Sequence, residues 1–153
     1  MYNCGRMVKS MSSLSRFMKS NKKKRENGFY APTASLTDES GAPLNWEFKP
    51  LTSKENERIR DECTVDVPVT GKPNMFRQRL DTSSYLVKLI AACVVTPNLY
   101  DEKLQDSYGV RKPEDLIYEL VDESGEYQDL CVWVQQYQGF TKTLDEKVDD
   151  AKN

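Results

Sequence analysis

The sequence predicts an α+β fold, with a small antiparallel β-sheet made of hairpins in the N-terminal half and a compact multi-helix C-terminal half. Apolar residues alternate with polar ones at residues 44–48 and 63–69, which is the period of a half-buried strand. Between residues 80 and 140, short patterns of helical period lie between proline and glycine stops. The chain has 153 residues, enough for one domain with an apolar core.

Three elements are predicted before residue 52. Residues 12–20 place three apolar side chains on one helical face, with serines available as caps, which predicts a short N-terminal helix. Residues 29–36 predict a weak strand, and Pro32 places it at a sheet edge because proline has no amide donor. Residues 44–48 predict a second strand that pairs with the first as a hairpin.

A capping-box pattern opens the next predicted helix. Thr52 and Glu55 can satisfy each other's free backbone donors, so we expect a helix that runs to about Glu62. Residues 63–69 and 75–80 then flank a turn rich in glycine and proline, which predicts a second hairpin.

The C-terminal half predicts four helices. Asp81 can cap the central helix of the core, which is expected to stop at Thr96 because a residue before proline is pushed out of helical geometry. Shorter helices are predicted at residues 101–108 and 113–121. The last strong helical pattern lies between the glycines at positions 125 and 139.

Charge is distributed unevenly along the chain. Residues 1–30 hold eight Lys/Arg against one acid, whereas residues 101–150 hold fourteen Asp/Glu against five Lys/Arg. Ends of opposite charge favour head-to-tail self-association or a charged partner, so a homo-oligomer is one interpretation and two solvated surfaces are the other. We expect residues 1–11 to be disordered or an upstream extension, residues 12–140 to form a single domain, and residues 141–153 to form a flexible acidic tail.

Residue types argue against an enzyme or a metal site. The sequence has no histidine, which is the usual general base and the commonest metal ligand near neutral pH. Its four cysteines are widely spaced, which argues against zinc and favours buried free thiols in a reducing compartment. We therefore expect no catalytic residue, no cofactor and no metal.

Two classes of partner are also disfavoured. The longest apolar run, at residues 89–95, is far short of the roughly 20 residues that cross a bilayer. The basic run at residues 19–25 has no interleaved aromatic residues and no accompanying nucleic-acid-binding motif. Neither a membrane nor a nucleic acid is expected as a partner.

Several segments resemble the XkdN-like family of phage tail assembly chaperones, found in contractile-tailed phages and phage-like elements of Gram-positive bacteria. The resemblance covers roughly residues 12–140. It is carried by SRFMKSN, DESGAPLNWEFKPLTSKE, DECTVDVPVTGKPNMF and SYLVKLIAACVVTPNLYDEKLQDSYGV, followed by the GEYQDL helix. The segments PNLYDEKLQDSYGV and GEYQDL are the most specific parts.

The resemblance implies a non-enzymatic role in the cytoplasm of the host bacterium. Such proteins bind the tape measure protein, keep its helices from aggregating, recruit tail tube subunits that displace the chaperone, and are absent from the finished particle. Members of the family also commonly have a longer form made by ribosomal frameshifting. The alternative is a structural tail or baseplate component that stays in the particle.

Apolar and aromatic side chains are the candidates for contact with such a client, whose amphipathic helices bind by burying an apolar face. Core packing is the ordinary role of an aromatic residue. Trp133 is the exception because it lies at the margin of the apolar stripe of its helix. The predicted contact residues are Leu14, Phe17, Met18, Tyr108, Trp133 and Tyr137.

Overall fold

The computed structural model describes residues 13–141 and has an α+β fold, as predicted. Two antiparallel sheets are present: one of three strands in the order β1-β2-β5, and a separate hairpin of β3 and β4. The strands are β1 (Gly28–Tyr30), β2 (Trp46–Phe48), β3 (Thr64–Pro68), β4 (Phe76–Leu80) and β5 (Val94–Thr96). The helices are α1 (Ser53–Glu62), α2 (Thr82–Cys93), α3 (Glu102–Ser107), α4 (Pro113–Leu120) and α5 (Ser124–Tyr137).

The terminal segments fall partly outside this range. The predicted disordered or upstream segment 1–11 lies outside the described residues, as does the predicted acidic tail except for Thr141. Of the helix predicted at residues 12–20, residues 13–15 are helical, the chain then turns, and a 3₁₀ helix follows at Lys19–Asn21.

Local capping signals predicted the helix starts correctly. The Thr52 hydroxyl accepts a hydrogen bond from the Glu55 amide at 3.1 Å, and the Glu55 carboxylate accepts one from the Thr52 amide at 3.3 Å. The Asp81 carboxylate accepts the Ser84 amide at the start of α2. These contacts satisfy backbone donors that the first turn of a helix leaves free.

Strand β5 is the element that the sequence reasoning missed. The central helix was expected to reach Thr96, but it ends at Cys93 and the next three residues pair with β2, with Val94 opposite Phe48 and Thr96 opposite Glu47. The β-branched residues Val94, Val95 and Thr96 suit a strand, and the pairing supplies the hydrogen bonds that a longer helix would have made.

Helix α2 crosses the centre of the core. It contacts helices α1, α4 and α5, and the rings of Trp46 and Phe48 on β2 belong to the same buried cluster. The buried apolar side chains of the core are Trp46, Phe48, Leu51, Ile59, Cys63, Tyr85, Val87, Leu89, Ile90, Ala91, Cys93, Leu99, Leu116, Ile117, Leu120, Val121, Leu130, Cys131 and Val134.

Candidate functional site

Trp133 lies in a stack of aromatic rings between α5 and the three-stranded sheet. Its ring stacks on Tyr30 at 4.9 Å between centroids and on Tyr137 at 5.1 Å, with interplanar angles of 8° and 9°. Phe48 contacts the same indole at 4.8 Å in a tilted arrangement. Offset or tilted rings at these distances stabilise a protein beyond the area that they bury. Trp133 is half-buried, so only part of its side chain is open to a partner.

Tyr137 anchors the end of α5 to the sheet. Its hydroxyl donates to the backbone carbonyl of Glu26 at 2.6 Å and also lies 3.2 Å from the carbonyl of Phe48. Burial raises the pKa of this phenol, so the hydroxyl stays protonated and can donate. The structure thus brings two of the six predicted contact residues together, Trp133 and Tyr137, in an intramolecular role.

Gln138 also joins the end of α5 to the segment after β2, a contact that the sequence did not predict. Its side-chain oxygen accepts the Leu51 amide at 2.8 Å, and its side-chain nitrogen donates to the Lys49 carbonyl at 3.1 Å. A glutamine amide can pair with extended backbone in this way because it carries both a donor and an acceptor. The segment between β2 and α1 is therefore held by the end of α5.

The N-terminal segment presents the most exposed of the predicted contact residues. Leu14, Phe17 and Met18 have exposed fractions of 66%, 86% and 55%. Apolar side chains that water reaches to this extent are available to a partner. Tyr108, by contrast, is half-buried at the end of α3 and packs against the core. A role of these residues in partner binding stays a prediction.

Other exposed apolar side chains were not among the predicted contact residues. Phe29 on β1 is 64% exposed, Phe76 on β4 is 63% exposed, and Tyr100 before α3 is 71% exposed. Alternation within a strand assigns residues to two faces, but it does not say which face another element covers. For Phe76 the only sequence signal was its place beside the turn of the second predicted hairpin.

The three cysteines that the structure describes lie in the core. Cys63, Cys93 and Cys131 are buried and form no disulfide, as predicted, whereas Cys4 lies outside the described residues. Burial raises the pKa of the Cys93 thiol to about 12, so the reactive thiolate is scarce at neutral pH. Between residues 13 and 141, no cluster of three or more histidine, cysteine or acidic residues is arranged to hold a metal ion. Over the same residues, no helix is long and apolar enough to cross a membrane.

The fold is shared with a solved protein. A crystal structure of the protein YqbN superposes with a TM-score of 0.66 at 18% identity, covering 82% of this chain and 95% of that one. In sequence, the chain is 22% identical over 118 residues to "Uncharacterized protein YqbN" of Bacillus subtilis, covering 77% of this chain and 78% of the relative. It is 20% identical, with the same coverage, to "Phage-like element PBSX protein XkdN" of Bacillus subtilis.

The family assignment rests on a longer match. Residues 14–152 match the family described as Phage XkdN-like tail assembly chaperone protein. This match includes every helix and strand given above, as well as the aromatic stack. The chain therefore belongs to the XkdN-like phage tail assembly chaperone family.

Proposed function

We propose that this chain binds the tape measure protein of its phage or phage-like element, keeps it soluble, and helps recruit tail tube subunits during tail assembly. Membership of the tail assembly chaperone family over residues 14–152 is the observation that carries the proposal. The family is not a class of enzymes, and we assign the chain a binding role without chemistry. It acts in the host cytoplasm and leaves before the particle is complete.

Exposed apolar side chains near the N-terminus could bind a tape measure helix. A tape measure helix has an apolar face that aggregates with copies of itself unless another surface covers it. Leu14, Phe17 and Met18 lie within five residues of one another and are all more than half exposed, so they offer such a surface. Many weak contacts of this kind along one client give avidity, while each can be displaced singly by a tube subunit.

Co-expression with the tape measure protein tests the proposal. The full chain should raise the soluble yield of the tape measure protein and should co-purify with it. A triple variant, Leu14→Ser, Phe17→Ser and Met18→Ser, should lose most of that effect. A control triple variant replaces three other exposed apolar side chains, Phe29, Leu44 and Tyr100, by serine, and it should keep the effect.

Three results would count against the proposal or part of it. No gain in soluble tape measure protein with the unmodified chain would contradict the chaperone activity itself. Equal loss in both triple variants, with both folded by circular dichroism, would contradict the assignment of the surface. Stoichiometric amounts of this chain in purified mature particles would instead support the structural tail or baseplate alternative.

A further inference from the structure

A groove lies where three separate segments of the chain meet. Its walls come from the basic residues that precede β1, from the start of α1 and from the residues that follow α5. It encloses about 690 Å³, within the roughly 300–1,000 Å³ of binding sites, which leaves room for several side chains of a partner. Its apolar lining includes the buried Leu51 and Leu89 and the half-buried Phe140.

Hydrogen bonds hold the walls of the groove in place. The Leu51 carbonyl accepts a hydrogen bond from the guanidinium of Arg25 at 2.6 Å, and the Leu51 amide donates to the side-chain oxygen of Gln138 at 2.8 Å. The capping box of Thr52 and Glu55 fixes the start of α1 beside them. The groove is therefore formed before a partner binds, and a preformed surface loses less entropy on binding.

The charged side chains of the groove are mostly positive. Lys22, Arg25 and Lys54 line it, together with one acid, Glu57, and all four are exposed. Within residues 13–141, none of the three cations forms an ion pair. The first turn of α1 also lines the groove and adds the positive end of the helix dipole. The groove therefore favours a partner that carries negative charge.

The groove is close to the apolar surface at residues 14–18, and a compact segment joins the two. The Asn21 amide donates to the Met18 carbonyl at 3.0 Å, and the Asn21 side chain donates to the Ser15 carbonyl at 2.7 Å. Lys22 follows Met18 by four residues, so their Cα atoms are at most about 14 Å apart. A helix of about 18 residues is about 27 Å long, so one helix can contact both the apolar surface and the groove.

The surroundings of the apolar surface decide which helices fit. Residues 13–25 hold six Lys/Arg and no acid. A helix that buries its apolar face on residues 14–18 brings the residues at the border of that face close to these cations, which attract acidic side chains and repel basic ones. A nucleic acid fits less well, because the buried Leu51 and Leu89 offer no aromatic surface on which bases could stack.

We propose that the groove and the apolar surface at residues 14–18 together bind a helix whose apolar face is bordered by Asp or Glu. The acidic residues of that helix lie beside Lys22, Arg25 and Lys54. The inference rests on the proposed function, in which the partner is the tape measure protein, and it names the class of tape measure segment that the chain selects. Apolar contacts supply most of the affinity, and the cations select helices by the charge of the border.

Binding of two synthetic peptides to the full chain, measured by fluorescence anisotropy, tests this selection. Both peptides are helices of about 18 residues with the same leucine face. One carries glutamate at the border of that face, and the other carries glutamine, which has a similar helix propensity. The glutamate peptide should bind at least about tenfold more tightly at roughly 0.1 M salt, because several modest ion pairs add. The preference should shrink towards 1 M salt, where the screening length falls from about 10 Å to about 3 Å.

Charge reversal in the groove adds a second measurement. The double variant Lys22→Glu and Lys54→Glu should weaken binding of the glutamate peptide by at least about tenfold and leave the glutamine peptide nearly unchanged, because attraction becomes repulsion at two positions. The matched control is Lys103→Glu and Arg111→Glu, which changes the net charge equally at two exposed positions outside the groove. A third peptide, with lysine at the border, should bind the groove variant more tightly than it binds the wild type.

Four results would overturn the inference. Equal binding of the glutamate and glutamine peptides would contradict the selection by charge, and equal effects of the groove and control variants, with both folded by circular dichroism, would contradict the place. Tighter binding of a single-stranded DNA of about 16 nucleotides than of the glutamate peptide would make the surface a nucleic-acid site. A change in the mass of the chain itself in the groove variant, measured by light scattering, would place a second copy there.

Co-expression with the tape measure protein separates this inference from the proposed function. The groove variant should raise the soluble yield of the tape measure protein less than the control variant does. If the wild type gives no increase, the proposed function fails. If the wild type gives an increase and the groove variant matches the control, the proposed function stands and only this inference fails.

Discussion

Gly28 is the position at which we expect a single added methyl group to disturb the aromatic stack. A methyl carbon there would lie 2.8 Å and 3.1 Å from two ring carbons of Tyr137 and 3.2 Å from a ring carbon of Trp133. Carbon atoms attract each other best at about 3.5–4.0 Å, so these contacts are repulsive. The Tyr137 ring has little freedom to move away because its hydroxyl is hydrogen-bonded to backbone carbonyls.

The size of the effect follows from two opposing contributions. Forcing an extra carbon into packed surroundings destabilises a protein by about 1–3 kcal/mol. Replacing glycine by alanine stabilises it by about 0.4–1 kcal/mol, because alanine reduces the conformational freedom of the unfolded chain. We therefore expect Gly28→Ala to lower the free energy of unfolding by about 1–2 kcal/mol. With a urea dependence of about 2 kcal/mol/M, the unfolding midpoint should fall by about 0.5–1 M.

The assay is equilibrium unfolding in urea, followed by tryptophan fluorescence. Gly125→Ala is the matched control, because no atom lies within 4 Å of the added methyl and the position is in helix α5. That change should be neutral or stabilising by up to about 1 kcal/mol. In a Tyr137→Leu background, Gly28→Ala should cost less, by about 1 kcal/mol, because the opposing ring is gone.

Two results would refute this reasoning. A midpoint for Gly28→Ala equal to or above that of the wild type would show that the rings do not pack on the Gly28 backbone. Strict additivity of Gly28→Ala and Tyr137→Leu would show that the two positions are not in contact.

Three further outcomes are expected. Hydrogen bonds from Ser84 hold the pKa of the Asp81 carboxyl below its ordinary value of 3.8, so its stabilising contribution is present above pH 3.8 and is lost as pH falls through the lower folded pKa. Asp81→Asn keeps a capping side chain but cannot titrate, and acid unfolding should therefore depend less steeply on pH in this variant. Glu126 accepts hydrogen bonds from the Thr33 hydroxyl at 2.8 Å and the Ala34 amide at 2.9 Å. Glu126→Ala should therefore lower the free energy of unfolding by about 1–2 kcal/mol and speed amide exchange in residues 31–45. Unchanged exchange there would contradict the idea that Glu126 holds this loop in place. In a Cys4→Ser variant, the three buried cysteines should react with a thiol reagent at neutral pH only when the protein unfolds, and rapid reaction of the native protein would contradict their burial.

Local patterns predicted much of the fold because their physical causes are local. The capping box at Thr52 and the cap at Asp81 each involve residues three positions apart, and both appear in the structure. The second hairpin was predicted from alternation and from its turn, and its strands lie within the predicted ranges. Contacts of this range depend little on the rest of the chain.

Contacts between distant segments account for what the sequence reasoning missed. Strand β5 forms because residues 94–96 pair with β2, with Val94 opposite Phe48, and their β-branched side chains suit that pairing better than the longer helix that was expected. The stacking of Trp133 on Tyr30 of β1, more than a hundred residues away, was likewise not predicted, while the expected contact of Trp133 with a client stays a prediction. A helical projection cannot show a partner contributed by another element.

By itself, the sequence determined the α+β class, the helix starts that follow Thr52 and Asp81, the second hairpin and the resemblance to the tail assembly chaperones. All of these depend on spacing and residue type within short segments. Only the tertiary structure decided that the hairpin forms a sheet of its own, that Phe76 stays exposed, and that Trp133 and Tyr137 join α5 to the sheet. The reason is that exposure and stacking depend on which distant elements meet, and periodicity along one chain carries no information about that choice.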